Sequence, residues 1–387
     1  MPTLSTPPAP IQMLDLAAQH AAIRPALDAA LRDTLAEAAF IQGPAVQAFA
    51  LELGTYLGGP HVIPCANGTD ALQLALMSLQ LPAGAEIIMP AFTYVATLEA
   101  AAILGLRPVP VEVRPDTFNL DPAAVEAAIT PRTGAIIVVH LFGQCADLAA
   151  LLAIGEEHGL PIIEDNAQAI GAAYQLADGR RVAAGTAGYA GTTSFFPSKN
   201  LGALGDGGAL LTTDAARAQY LRQLANHGQT RKYHHEHIGL NSRLDTLQAA
   251  LLRVKLAHLN AWTAARQQVA AHYDAALAGV PGLHIPARDL RSTHVFHQYT
   301  LTVEEGEEGA LSRRDQLQEF LRVRGIPSVV YYPLPNHLQP AYAYLGYRAG
   351  QFPVAERLCR TVLSLPIHPT LTAEQVAYVA DTVRQFR

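Results

Sequence analysis

Thr193-Ser-Phe-Phe-Pro-Ser-Lys-Asn-Leu-Gly-Ala-Leu-Gly-Asp-Gly-Gly-Ala209 joins a short β-branched and aromatic run to a glycine-rich turn, with Lys199 standing between them. The chain holds three lysines, Lys199, Lys232 and Lys255, and its basic residues are otherwise arginine. An amine in partly apolar surroundings is disfavoured in its charged form, which lowers its pKa and makes it a nucleophile toward an aldehyde. Taken alone, the same stretch reads equally as a strand end and a tight turn that sends its lysine to water, so the surrounding sequence has to decide.

From Val62 onward, short β-branched runs alternate with alanine-rich stretches. The pattern predicts strands at Glu86–Met89, Arg107–Val111, Ala135–His140, Pro161–Glu164 and Thr193–Phe196, with helices beginning near Thr69, Thr93, Pro122 and Asp147. This is an α/β alternation over a mostly parallel central sheet flanked by helices, in which ligands sit beyond the carboxyl ends of the strands. Upstream, Ile23, Leu27, Leu31 and Leu35 recur at helical spacing and predict one helix from about Ala18 to Ala39; Phe40–Pro44 breaks it and a second helix runs to Leu57. The Pro-rich start, residues 1–15, reads as a tail that is disordered or draped over the surface. Downstream, Arg243–Leu277 reads as one long amphipathic helix linking a large domain, residues 16–260, to a smaller C-terminal α+β domain, residues 261–387. In that second part the pattern predicts strands at His297–Val303 and Ser328–Tyr331, and helices at Ser312–Arg324, from Pro353 and from Thr372. The Glu304–Glu308 cluster, with its two glycines, reads as an exposed loop.

Of the 387 residues, 50% are hydrophobic and 16% charged, which suits a globular chain with a sizeable core. A net charge of −6 supplies no basic stripe and argues against nucleic acid as a partner. Cys65, Cys145 and Cys359 lie far apart with no CxxC pair, so neither a disulfide framework nor a thiolate metal site is expected, and a reducing cytoplasm fits. The first residues carry no basic start or apolar core and no apolar run reaches membrane-span length, so a soluble cytoplasmic protein with no membrane partner is expected.

Around the predicted strand ends lie four pieces of one chemistry. Ala66-Asn-Gly-Thr-Asp70 follows the first strand and opens a helix: Gly68 admits a close backbone approach, and the free N–H groups with the Thr69 hydroxyl make a phosphate cup, although Thr and Asp are ordinary N-cap residues too. The apolar run Pro161-Ile-Ile-Glu-Asp165 ends in two acids, with Gln168 three residues on; a carboxylate at a buried strand end needs a cation, and a protonated ring nitrogen would serve. Read otherwise, these acids are a helix cap or metal ligands, and no histidine ligand stands nearby. Tyr94 opens the helix after the Glu86–Pro90 run and offers a ring face, as a core aromatic also would. Pyridoxal phosphate requires a lysine, an acid, a phosphate cup and an aromatic face at the strand ends of one open sheet, and all are present. The glycines from Gly202 to Gly208 do not spell GxGxxG, and no GxxxxGK[ST] occurs, so nucleotide-binding folds of those kinds are excluded.

With Ala66–Asp70, Pro90-Ala-Phe-Thr-Tyr94, Glu164-Asp-Asn-Ala-Gln168, Ser194–Lys199, Gly205-Asp-Gly-Gly208, Gly239–Asp245 and Tyr332-Pro-Leu-Pro335 in view, the chain resembles the DegT/DnrJ/EryC1/StrS sugar aminotransferases over nearly its whole length. The resemblance implies the fold type I architecture of pyridoxal-phosphate enzymes and a homodimer with shared active sites. It implies that Lys199 forms the Schiff base, Asp165 bonds the ring nitrogen, Gln168 reaches the ring hydroxyl and Tyr94 stacks on the ring. Gly68, Thr69 and Ser194 would hold the phosphate together with Asn241 from the second subunit. For the sugar nucleotide it points to Phe40, Gln42, Ser198, Tyr331, Tyr332 and, from the partner chain, Arg243. L-Glutamate would give up its amine and leave as 2-oxoglutarate, after which a nucleotide-linked keto sugar would be aminated.

The stretch His227-Gly-Gln-Thr-Arg-Lys-Tyr-His-His235 and its continuation to Ala250 look most like the branch that aminates C3 of UDP-N-acetylglucosamine-derived 3-keto uronic acids, for lipopolysaccharide or other surface glycans. A dTDP-linked 3- or 4-keto-6-deoxyhexose is the alternative substrate, and a non-catalytic regulator or binding protein on the same fold the alternative of another class. The histidines at 234, 235 and 237 follow no zinc-site spacing, and no metal is expected.

Overall fold

Continuous burial along the central strands is what a sheet between two helix layers demands, and the computed structural model shows it in β2, β5 and β9. It describes residues 10–306 and 312–386. The N-terminal part brings α1 (Leu16–Ala21), α2 (Arg24–Glu37) and α3 (Pro44–Tyr56) before β1 (His61–Cys65). There follow α4 (Gly68–Met77), β2 (Glu86–Pro90), α5 (Ala96–Ile103), β3 (Arg107–Val111), α6 (Pro122–Ala128), β4 (Thr133–Val139), α7 (Leu148–Glu157) and β5 (Ile162–Asp165). A small hairpin of β6 (Ala173–Gln175) and β7 (Arg181–Ala183) precedes β8 (Ala190–Ser194), β9 (Gly208–Thr212) and α8 (Ala215–Leu224). A second hairpin, β10 (Gln229–Arg231) and β11 (His234–His235), leads to α9 (Thr246–Leu256) and α10 (Leu259–Leu277). The remainder is β12 (Leu283–His284), β13 (Tyr299–Val303), α11 (Arg313–Arg322), α12 (Pro353–Thr361), β14 (Val362–Leu365) and α13 (Ala373–Gln385).

The central sheet has seven strands in the order β1-β9-β8-β5-β4-β2-β3. Its pairs are parallel from β3 through β8, and β9 runs against both of its neighbours. All five residues of β2 are buried, yet they serve two cores: Ile87 and Met89 pack with Leu72, Leu98 and Ile137 on one face, Ile88 with Ile136, Val138 and Leu151 on the other. Burying one such side chain fully contributes about 1.5–3 kcal/mol relative to exposure. The second sheet, β12-β13-β14, is antiparallel and packs Tyr299, Leu301 and Leu363 on Tyr273 of α10 and Val379 of α13. The segment that leads into β13 is tied to the turn after β4 by the Val295 N–H, which donates to the Gly143 carbonyl (2.9 Å).

Several predicted bounds shift for physical reasons. The helix expected over 18–39 is two helices, because Pro25 in the first turn of α2 lacks an N–H and cannot continue a helix from α1. The helix expected from Arg243 begins only at Thr246, since the segment before it is held extended: Ile41 bridges Asp245, and the Thr246 N–H donates to the Phe40 carbonyl (2.9 Å). It also turns at Ala257–His258, so that Leu252 of α9 joins the core around Phe49 while Tyr273 and Leu277 of α10 join the core of the smaller sheet. Ser328–Tyr331 makes a single bridge, Val329 to Ser364, instead of a strand; Pro327 and Pro333 flank it and cannot donate to a ladder.

The helix expected near Thr93 starts at Ala96, and the strand expected to reach Phe196 ends at Ser194. Of the expected tail, residues 1–9 lie outside the described residues; Ile11 is buried against the core of the smaller sheet and the Pro10 carbonyl accepts from Gln375, so this part is neither disordered nor merely draped over the surface. In the expected Glu304–Glu308 loop, Glu304–Gly306 is exposed and irregular, and residues 307 and 308 lie outside the described residues.

Candidate active site

Five strands of the central sheet deliver their ends to one cavity of about 840 Å³, lined by Gly68, Thr69, Tyr94, Asp165, Gln168, Ser194, Ser198, Lys199, Tyr331 and Tyr332 among others. These are expected site residues separated by as many as 264 positions in the chain, from Gly68 to Tyr332.

The phosphate cup is built on the first turn of α4. Asn67 is its N-cap in extended backbone, and its side-chain oxygen takes the Asp70 N–H (2.8 Å), which leaves the earlier N–H groups of the turn without intrahelical acceptors. Two glycines line this turn because no side chain fits: a Cβ on Gly68 would stand 2.8 Å from the Ser194 Cβ, and one on Gly208 only 2.4 Å from the Asn67 carbonyl. The Ser194 hydroxyl accepts from the Phe196 N–H (3.3 Å) and keeps its own proton free to donate. A backbone cradle that excludes Cβ atoms, at a helix N-terminus, fits a phosphate group.

The two acids at the end of β5 point to opposite faces, as alternation requires. Glu164 is fully buried away from the cavity: it pairs with His140 Nε2 (2.9 Å) and accepts the N–H groups of Gly185, Ala187 and Gly188 (2.9, 2.7 and 2.7 Å). Burial alone would raise its carboxyl, yet the His140 hydrogen bond and these N–H groups hold it below the usual carboxylate range. Asp165 faces the cavity with two neutral donors, the Thr97 hydroxyl (3.2 Å) and the Ala167 N–H (3.1 Å). Burial pushes its carboxyl above the usual range, opposed by the Ala167 hydrogen bond and the Lys199 charge. A buried carboxylate whose direct partners are all neutral is suited to receive a cationic N–H, such as that of a pyridinium ring.

Lys199 sits in the loop after β8, whose turn is closed by the Lys199 N–H to the Phe196 carbonyl (2.8 Å) and by Ala203 N–H to Phe195 (2.7 Å). Burial lowers its amine to about 8, Asp165 acting in the opposite sense. A substantial fraction of free base is therefore present near neutrality, the form that attacks an aldehyde. Gln168 is pinned at both ends of its amide: Oε1 accepts from the Phe142 N–H (2.8 Å) and Nε2 donates to the Tyr332 hydroxyl (3.0 Å), leaving one amide proton for a ligand. Tyr332 in turn tilts against Tyr94 (ring centroids 6.1 Å apart), and Tyr94, 57% exposed, covers the cavity mouth with a free ring face. The lysine, the acid, the cradle and the ring face together fit pyridoxal phosphate.

Four expected residues lie elsewhere. Phe40, Gln42, Asn241 and Arg243 do not line the cavity of their own chain. Phe40 and Gln42 flank Ile41, which bridges Asp245, and the Gly43 N–H donates to the Thr246 hydroxyl (3.0 Å); Asn241 bridges Asn226. Arg243 makes no hydrogen bond or ion pair with another described residue. Conversely, the cavity includes Asn67, Asp206, His297 and Gln298, which the sequence reading passed over, and Thr97 and Asn200 support it from behind. Asn67, Asn200 and Asp206 lie inside stretches quoted above without being singled out, and His297-Gln298 is a polar pair at the head of the Tyr299–Val303 run. The hairpin histidines serve separate partners: His235 Nδ1 meets the His227 carbonyl (2.9 Å) and His237 packs edge-on against Tyr220.

Known proteins are similar to this one over nearly the whole chain. A pleiotropic regulatory protein of Geobacillus stearothermophilus is 45% identical, over 97% of this chain and 98% of its own. A dTDP-3-amino-3,4,6-trideoxy-α-D-glucose transaminase of Streptomyces venezuelae is 44% identical, over 97% of this chain and 96% of its own. A UDP-2-acetamido-2-deoxy-3-oxo-D-glucuronate aminotransferase of Pseudomonas aeruginosa is also 44% identical, over 95% of this chain and 98% of its own. Among solved structures, that of S. venezuelae DesV in complex with a ketimine intermediate superposes with a TM-score of 0.91 at 44% identity, covering 97% of this chain and 98% of that one. Residues 22–384 match the model of the DegT/DnrJ/EryC1/StrS aminotransferase family, and the chain belongs to that family as an aminotransferase dependent on pyridoxal phosphate.

Proposed function

We propose that this sugar aminotransferase transfers the amine of L-glutamate to C3 of a UDP-N-acetylglucosamine-derived 3-keto uronic acid, in the cytoplasm, for surface polysaccharide precursors. The observation that carries the chemistry is Lys199 and Asp165 facing one cavity across the ends of β8 and β5, with the Gly68–Thr69 turn beside them. Residues 16–260 act as the cofactor-binding domain and 261–387 as the smaller domain that carries Tyr331 and Tyr332.

When bound, pyridoxal phosphate supplies an aldehyde for amine exchange and a ring that accepts electron density. Gly68, Thr69 and Ser194 hold its phosphate, Gln168 meets its ring hydroxyl and Tyr94 covers its face. Asp165 keeps a proton on the ring nitrogen by charge pairing, an electrostatic assistance that strengthens in a site shielded from water. Lys199 Nζ, a free base in part near neutrality, takes the proton from the α carbon of the donor.

The site is completed by a second copy of the chain. The cavity of one chain is lined by Asp70, Asp165 and Asp206 and by no arginine among the described residues, although its ligands are phosphates and carboxylates. Asn241 and Arg243, which lie outside that cavity, supply the missing donors across a homodimer. A uronic acid suits this arrangement, since its carboxylate needs a guanidinium and Arg243 makes no hydrogen bond or ion pair among the described residues. The uronate is preferred to the dTDP-linked deoxyhexose on the likeness of the His227–Ala250 stretch to the uronate branch. The rival of a purely regulatory protein is disfavoured by the complete set of lysine, acid and cradle.

The test is turnover of purified enzyme with glutamate and each class of keto sugar nucleotide. Formation of 2-oxoglutarate with the UDP-linked 3-keto uronate is expected; turnover with dTDP sugars alone would overturn the substrate assignment. Absence of absorbance near about 400–430 nm after incubation with cofactor would overturn the catalytic reading.

A further inference from the structure

Asn200, the residue directly after Lys199, is buried. Its Nδ2 donates to the Val295 carbonyl (3.0 Å), which leaves Oδ1 turned toward His297 Nδ1 (3.3 Å). Reversing the amide would set its oxygen against a carbonyl oxygen, so the hydrogen-bond geometry decides the orientation. An amide oxygen only accepts; His297 therefore carries its proton on Nδ1 and bears a lone pair on Nε2. No hydrogen bond among the described residues engages Nε2, it is absent from the buried polar atoms that lack a partner, and the ring lines the cavity.

The segment that carries this imidazole is held from several sides. Phe296 adopts φ 48°, and its carbonyl accepts from the buried guanidinium of Arg266 (3.2 Å), which also grips the Ile367 carbonyl (2.7 Å). On the other side the Gln298 N–H donates to the Phe142 carbonyl (3.3 Å), and a Cβ on Gly143 would stand 2.9 Å from the backbone nitrogens of His297 and Phe296. Burial, followed by the charges of Lys199 and Arg266, keeps the imidazole neutral, well below its ordinary range. A fixed, neutral, acceptor-only group is thus presented beside the reacting lysine.

Such a group selects its ligand. A carboxylate meets the Nε2 lone pair with repulsion, whereas a hydroxyl donates to it. Glutamate carries carboxylates, and its one donor, the ammonium, is the group that reacts. A keto sugar carries hydroxyls, and His297 shares its cavity with Gln298 and Tyr331. We propose that His297 is a specificity residue for the acceptor substrate, its Nε2 receiving a hydroxyl of the keto sugar and its tautomer set by Asn200. This rests on the sugar-aminotransferase reading above.

Two measurements on the holoenzyme test it. In ¹⁵N spectra of histidine-labelled protein, with the His297 signals identified by their loss in His297→Gln, Nδ1 should be protonated and Nε2 bare from about pH 5.5 to 8. An Nε2–H tautomer, or titration near the ordinary imidazole value, would overturn the proposal. Single-turnover rates of the two half-reactions then separate the ligands. His297→Phe keeps a buried ring without the acceptor and should lower kcat/KM for the keto sugar by roughly 10–100-fold, with the glutamate half-reaction within about twofold of the parent. His297→Gln, which restores an oxygen acceptor at that reach, should recover a large part of the loss. Equal losses in both halves, or none with the sugar, would overturn the assignment. Failure of the parent enzyme in both half-reactions would instead defeat the aminotransferase reading and leave the tautomer measurement standing.

Discussion

Glu164 and Asp165 are neighbours in β5 with opposite surroundings: Glu164 is tied to His140 at 2.9 Å on one face of the sheet, and Asp165 meets Thr97 at 3.2 Å on the other, at the floor of the cavity. His140 Nδ1 accepts from the Ala146 N–H (3.1 Å), so its proton is on Nε2 and is donated to Glu164. One carboxylate holds the strand end in place and the other is left to the ligand.

The two acids should therefore separate stability from catalysis. Glu164→Gln sets an NH₂ group against N–H donors and should cost about 2–3 kcal/mol at neutral pH, read as a fall in Tm. Its parent carboxyl is held below the usual range, so that contribution is present above the unfolded value of about 4.3 and lost as pH falls through the folded one. Asp165→Asn should lower turnover roughly 10²–10³-fold without lowering the Tm of the cofactor-free protein. The Asp165 carboxyl is raised by burial, so the stability it contributes is lost as pH rises through its folded value, and the asparagine removes that loss. Equal effects of the two variants on Tm would refute the division of roles.

Lys199→Ala should abolish turnover and leave the fold intact, because the change is confined to the reacting centre. In cofactor-free protein, trapping of an aldehyde probe on the parent lysine should rise with pH through about 8. An ordinary lysine would instead rise through about 10.4. A rate still climbing steeply near that higher value would contradict the burial of the amine. Borohydride reduction of the holoenzyme followed by peptide mapping should place the label on Lys199, and a label elsewhere would withdraw the assignment.

The glycine cradle permits little substitution. A methyl at Gly208 falls 2.4 Å from the Asn67 carbonyl, a distance that only backbone movement relieves. Gly208→Ala should destabilise the protein by about 1–3 kcal/mol and weaken cofactor retention together, as measured by thermal unfolding and by absorbance after dialysis. Unchanged retention would show that the α4 turn does not hold the phosphate.

Sharing of sites between subunits is open to complementation. Asn241→Ala should weaken cofactor retention, and Lys199→Ala and Arg243→Ala homodimers should each be impaired. Hybrids formed from both contain one site with Lys199 and Arg243 intact, and should recover a measurable part of the parent activity. No recovery in hybrids whose formation is verified by mass would contradict the shared site.

How much was legible beforehand follows from range. Lys199, Asp165, Gly68 and Tyr94 each lie within a few residues of a strand end, so short β-branched runs and helix signals placed them on the same sheet edge. Helix ends were less legible where remote contacts intervene: Thr246 starts α9 because Phe40 pairs with the residues before it, a contact across more than 200 positions. The Asn200–His297 contact spans 97 positions and bears no periodic signature at all.

Short β-branched runs, alanine-rich helical stretches and the placement of glycine, signals that each span a few residues of chain, were enough to establish an α/β sheet, a lysine-bearing loop and a phosphate-binding turn. Tertiary packing alone decided that Glu164 is buried against His140, which nitrogen of His297 is bare, and that α9 begins only at Thr246. Those outcomes depend on groups brought together by burial across the fold, and their sequence separation carries no trace of the distance between them.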